Sequence, residues 1–344
     1  MTIPACHRLQ VAAAALALIA ATAMVGRAAP APDAGSSLLR ELGFSTLEID
    51  RIAKGEVLGR SLRADSSEVA LAVAASIRTT PAFYLERLRD ITTFKTSSEV
   101  LQIGKVAPPP STRDFAVLTL ENDDVKDLRS CRIDRCGVKL DRDGVERLAR
   151  RDADIPRASA AMREFLAGYT SRYLQRGNPA LIEYRDDAPT RPLLADLAEI
   201  LKHSGYLQRG WPALYGAVAG FDGSLPTRLD GFLYWSKEKI GPRAVVSVTH
   251  VVIDAPAGGA AAVATKQVYA SHYSDASLGV TMLFDQSSGG EPRTLVVYTN
   301  RSRLDVFGGI FGALKRPIVR GRARDGATRT MERLRQRMEH QFRG

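Results

Sequence analysis

Apolar positions along the chain fall into three kinds of run, and each kind predicts a different element. The first is continuous. Val11 to Val25 is broken only by Thr22, follows His7 and Arg8, and gives way to Gly26, Arg27, Ala28, Ala29 and a Pro/Ala stretch. Its fifteen residues fall short of the roughly 20 that a membrane-spanning helix needs. Charged, then apolar, then small is the order of a cleavable secretory signal, with an uncleaved anchor as the alternative. Residues 1–28 are therefore expected to be removed on export, leaving a periplasmic or secreted protein. Cys6 precedes the apolar run and none follows it closely, so a lipidated anchor is not expected.

The second kind of run has helical spacing. Residues 29–60 read as a Pro/Ala/Gly/Ser linker followed by one short amphipathic helix within Leu38–Leu58. Thr80 followed by Pro81 gives an N-cap and a first helical position, with Phe83, Leu85 and Leu88 on the side to be buried. After the break at Pro108–Pro110, residues 108–230 read as a helical insertion, with helices over 142–151, 158–176, 192–203 and 212–219. Met162, Phe165, Leu166, Tyr169 and Tyr173 recur at three- and four-residue intervals, a stripe that reads as core.

The third kind alternates or is short and β-branched. Glu68–Ile77 runs straight into the capped helix and reads as a strand, and Val100–Gly104 as a second, so that 61–107 forms the first part of an α+β domain. Residues 231–344 supply the rest. Strands are expected over Ala244–Ile253, Ala261–Tyr273, Leu278–Phe284 and Thr294–Thr299, with Gly258-Gly259 and Ser287–Gly290 as antiparallel connections. An Arg-rich helix over Asp325–Phe342 closes the chain, with Met331, Leu334 and Met338 facing inward.

Charge sharpens this picture. The chain has 48 Lys and Arg, of which Arg8 and Arg27 fall in the expected signal, against 38 Asp and Glu, leaving a mature net charge of +8. Residues 301–344 alone carry twelve Lys and Arg against Asp305, Asp325, Glu332 and Glu339, also +8, so the rest of the mature chain is neutral. A basic 315–343 helix is either a solvated face or a contact with an anionic membrane surface. Export argues against nucleic acid as a partner. Removal of the signal leaves only Cys131 and Cys136, a local pair expected to form a disulfide that staples one loop. Their C-x4-C spacing, without a second Cys/His pair nearby, does not suit a structural zinc site.

The order of elements resembles that of the START-like, polyketide-cyclase-like superfamily with its helix-grip fold. Two pieces carry the resemblance: Val69–Phe94, with its strand, Thr-Thr-Pro and aromatic helix start, and Val245–Phe342, with its meander and long helix. The resemblance implies a curved antiparallel sheet packed on the C-terminal helix, here with a large helical insertion, and a cavity for an apolar ligand such as a lipid, sterol or polyketide. It does not by itself imply catalysis.

The common catalytic motifs are missing: there is no G-x-S-x-G, H-E-x-x-H, C-x-x-C-H, P-loop or G-x-G-x-x-G. The candidate cavity residues are His250, Lys266, Tyr269, His272 and Tyr298, polar groups within the strand-rich region. His250 shares a strand face with Val246, Val248 and Val252 and is the best inward-facing candidate, although a core histidine satisfied by its neighbours has the same pattern. Ser271, His272 and Asp275 invite comparison with a hydrolytic triad, but adjacent strand residues point to opposite faces. Five scattered histidines do not make a metal site, and no cofactor is expected. Three readings follow. A binder or carrier of a hydrophobic small molecule requires a cavity, a cyclase or hydrolase on the same scaffold requires two or more of the five candidates to converge there within hydrogen-bond reach, and a structural interaction protein requires a fully packed sheet.

Overall fold

The computed structural model describes residues 34–257, 259–307 and 312–343, so the expected signal peptide and most of the linker lie outside the described residues. The described residues open with α1 (Ala34–Glu41) and α2 (Thr46–Ala53), two helices where the sequence suggested one. Gly43, at φ +90°, makes the left-handed turn between them, and Ser45 and Glu48 cap the second reciprocally. β1 (Leu58–Ser61) and β2 (Glu68–Ile77) follow. Every residue of β2 is buried, so its Ala-rich run is a strand covered on both faces. α3 (Pro81–Arg89) starts as its sequence predicts, with Thr80 Oγ1 accepting the Phe83 N–H at 3.2 Å.

After α4 (Ile91–Phe94) and β3 (Val100–Val106) the chain enters a helical layer. It comprises α5 (Asn122–Ser130), α6 (Arg142–Leu148), α7 (Ile155–Arg176), the two-residue strands β4 (Glu183–Tyr184) and β5 (Arg191–Pro192), then α8 (Leu193–Lys202), α9 (Gly205–Gly210) and α10 (Pro212–Ala219). Five strands follow: β6 (Asp230–Lys239), β7 (Ala244–Asp254), β8 (Ala261–Ala270), β9 (Ser274–Asp285) and β10 (Thr294–Leu304). α11 (Gly312–Arg343) ends the chain and begins well before the predicted Asp325, with Pro317 near its N-terminal end. A bond between Cys131 and Cys136 ties the end of α5 to the loop after it.

The fold is thus α+β, built on one antiparallel sheet of order β1-β2-β10-β9-β8-β7-β6-β3. The two separated strand regions join in it: Val73 of β2 faces Tyr298 of β10, and Gly104 of β3 faces Trp235 of β6. The helical layer therefore leaves from one strand and returns on its immediate neighbour. One sheet face, including Ala74, Val248, Val280 and Val297, packs against the layer, where Met162, Phe165, Leu166, Tyr169 and Tyr173 of α7 are all buried. The opposite face, including Val73, Val251, Val263 and Val296, packs against Leu85 and Leu88 of α3 and Met331 and Met338 of α11.

Candidate functional site

On the face toward α11 the strands change character midway. β7 passes from Ile253 and Val251 to Thr249 and Ser247, β8 from Val263 to Thr265 and Gln267, β9 from Leu283 to Gly279 and Ser277, and β10 from Val296 to Tyr298, Asn300 and Ser302. Register aligns these changes: Thr265 lies opposite Gly279, and Gly279 opposite Asn300. The apolar half is filled by α3, Met331 and Met338. The polar half borders a partly open cavity of about 360 Å³ beneath Ala323 and Ala327 of α11, lined elsewhere by Leu71, Val245, Leu304 and the turn His272–Ser274.

The polar floor is partly paired with itself. Ser277 and Ser302 share a hydrogen bond of 2.8 Å, Ser302 Oγ donates to Asn300 Oδ1 at 2.8 Å, and Thr265 Oγ1 donates to the Gly279 carbonyl at 3.2 Å. A Cβ on Gly279 would overlap Thr265 Oγ1 and stand 3.2 Å from the Tyr298 ring, so the missing side chain leaves room for both beside β9. Burial pushes the Tyr298 hydroxyl up to about 12, with Lys95 pulling the other way. Lys95 enters from the loop after α4, donating to Glu238 at 2.6 Å and to Tyr234 Oη at 3.4 Å. Burial works against the ammonium charge, but Tyr234 and Glu238 outweigh it and hold Lys95 above its ordinary value. The cavity thus offers hydroxyls, amides and one neutralised ion pair.

The five residues singled out from the sequence divide between two places. Tyr298 and His272 border the cavity. His250, Lys266 and Tyr269 lie on the other face, in contact with the helical layer. His250 Nδ1 bonds Tyr173 Oη at 2.8 Å, and Lys266 Nζ donates to Asn178 Oδ1 at 2.7 Å and the Val218 carbonyl at 3.3 Å. Tyr269 stacks edge-on against Phe165. Lys266 and Tyr269 share this face despite odd spacing because a β-bulge at Val268 shifts the register between them. Burial lowers Lys266 to about 7, and burial together with the Lys266 charge lowers His250 to about 3.

Nor do Ser271, His272 and Asp275 come together. Ser271 Oγ accepts the Val246 N–H at 2.9 Å, His272 Nε2 bonds Asp124 Oδ1 at 3.0 Å, and Asp275 accepts from Lys139 at 2.8 Å. Lys95, Glu238 and Thr265 are site residues that the candidate set does not contain. For Thr265 the signal was present as polar residues at alternate positions of β8, whereas Lys95 and Glu238 lie outside the strands that show it.

Among the described residues no group of three or more His, Cys, Asp or Glu side chains is placed to hold a metal ion, and no helix is long and apolar enough to cross a membrane. Compared with protein-family models, with characterised proteins and with solved structures, the chain matches none.

Proposed function

We propose that this protein binds and carries, outside the cytoplasm, a small molecule that combines a hydrophobic skeleton with several oxygen functions. The observation that carries the reading is the half-filled sheet face: apolar side chains occupy one half, and about 360 Å³ of space lies over the hydroxyls and amides of the other. That volume falls within the roughly 300–1,000 Å³ of small-molecule sites. A protein whose sheet served only as an interaction scaffold has no need of such a gap, since burying polar groups is costly. The resemblance to the helix-grip superfamily supports the same reading, because there too a ligand lies between sheet and terminal helix. The polar lining argues for an amphipathic ligand over a pure hydrocarbon chain.

Export is supported by the Cys131–Cys136 bond and by the signal-like amino terminus. Delivery at an anionic membrane surface is supported by α11, where Leu314 and Ile318 are exposed one turn apart beside Lys315, Arg316 and Arg322. A binder is favoured over a cyclase or hydrolase because Lys266, His250 and Tyr269 are engaged on the far face of the sheet, and of the two candidates that border the cavity His272 bonds Asp124 and not Tyr298.

Native mass spectrometry of the mature protein, followed by organic extraction, tests the proposal. A reproducible co-purifying molecule that is lost in Ala327→Trp is the expected result. A bare polypeptide mass in gently purified wild type, with no saturable uptake of an uncharged solvatochromic dye, contradicts it.

A further inference from the structure

The cavity beneath α11 does not end at Lys95 and Glu238. These two residues and Ile240 also border a second space of about 500 Å³, a groove between α11 and the segments 94–100 and 238–240. Ile240 is 68% exposed, a large apolar side chain at the junction of the two spaces.

The groove is cationic where the cavity is neutral. Five Lys and Arg side chains border it against two carboxylates, Glu99 and Glu238. Glu238 is taken by Lys95 at 2.6 Å, and Glu99 stands 3.6 Å from Arg333, beyond a good hydrogen bond. Arg337 crosses from α11 to donate to the carbonyls of Phe94 and Thr96. Burial pushes its guanidinium below its ordinary value, with Tyr84 pulling the other way. Nη2 of Arg329 lies over Gly326, 4.0 Å from where a Cβ would stand, and Gly326 is part of the groove wall. Among the described residues no ion pair joins Arg329, Arg337 or Lys239 to a carboxylate. Arg329, Arg333 and Arg337 recur at four-residue spacing, so three like charges stand in one row on the helix. Such a row weakens a helix unless an anion lies against it.

We propose that the molecule held beneath α11 is an acidic amphiphile, whose skeleton leaves the cavity past Ile240 and whose anionic end group is bound in the groove by Arg329 and Arg333. This rests on the cavity reading above and narrows the ligand class to molecules ending in a carboxylate or a group of like charge. A neutral end would leave the row uncompensated, and a cationic end would be repelled by it.

Fluorescence titration with 4-(1-pyrenyl)butanoic acid and its methyl ester, matched in skeleton and differing in charge, tests it. Wild type should prefer the acid by about tenfold, the scale of one charge-assisted hydrogen bond, and the preference should shrink as salt is added. Arg329→Gln/Arg333→Gln should lose most of it while ester affinity and Tm stay unchanged, because both side chains are exposed. Ala327→Trp should weaken both probes, and ester binding that survives it would contradict the path through the cavity. If wild type binds acid and ester equally, or if the double variant keeps the preference, the anion site is overturned while the cavity reading stands on the ester. A double variant that leaves phosphatidylglycerol vesicles yet keeps the preference would make the groove a membrane contact and overturn the inference as well. If neither probe binds, the cavity reading fails and takes this inference with it.

Discussion

Lys266 of β8 and His250 of β7 are direct cross-strand partners, and among the described residues neither bonds a carboxylate. Lys266 is fully buried, its Nζ passing close to the rings of Tyr173 and Phe221. The pair joins the sheet to the helical layer through groups that resist protonation, so the junction should respond to pH.

For Lys266 the sign follows from its lowered value of about 7 against an ordinary 10.5. Between those limits the unfolded chain holds a proton that the folded protein gives up, so stability rises with pH across the window and the burial penalty is complete below it. Relative to Lys266→Met, wild type should gain about 1.4 kcal/mol per pH unit through the middle of this range. Urea titrations of both proteins at pH 7 to 10 check the slope; a difference independent of pH contradicts it.

His250 acts in the acid range. Its value of about 3 against 6.5 means that its contribution is fully present above the ordinary value and is lost as pH falls toward 3. His250→Gln should therefore show a shallower loss of stability from pH 6.5 to 4 than wild type. Acid denaturation followed by tyrosine and tryptophan fluorescence reads the difference, and parallel curves count against it.

Lys139 is buried at the opposite end of the layer, 2.8 Å from Asp275, 3.3 Å from Asp186 and 3.5 Å from Asp305. Burial works against its charge, yet Asp275 and Asp186 hold it above the ordinary value. Lys139→Met leaves Asp275 with only the partly exposed Arg191, and should cost roughly 3–5 kcal/mol. Adding Asp275→Asn should return part of that loss. Denaturant unfolding of the double-mutant cycle measures the coupling, and strict additivity would refute it.

The Cys131–Cys136 loop is also held by Arg185, which bonds Asp134 at 2.6 and 2.8 Å. Opening the disulfide should lower stability by about 2 kcal/mol, the entropy of one short loop, and leave the fold intact. Cys131→Ser/Cys136→Ser with an unchanged far-UV spectrum and a small fall in the urea midpoint is expected. Global unfolding of that variant would show the bond to be more than a staple.

Much of the fold was legible because its signals are local. The Thr80-Pro81 start of α3, the stripe of α7 and the valine-rich β7 each follow from a few neighbouring residues. α5 and α9 were missed, since nine and six residues show too little periodicity to stand out. The side of the sheet was the harder question. Alternation put His250 with Val246, Val248 and Val252 correctly, but it cannot say which of two buried faces borders a cavity, and the bulge at Val268 that turns Tyr269 to the same side as Lys266 has no glycine or proline to mark it. The cavity floor was visible only as Ser, Thr, Gln and Asn at alternate positions, which in a strand covered on one face would simply meet water.

Occupancy of the space beneath α11 is the decisive quantity, and calorimetric titration of 2-naphthol into wild type and Ala327→Trp measures it. The account predicts saturable one-to-one binding to wild type, weakened at least about tenfold when the indole fills the cavity, with Tm preserved. Equal binding by the two proteins, or none by either, would contradict it.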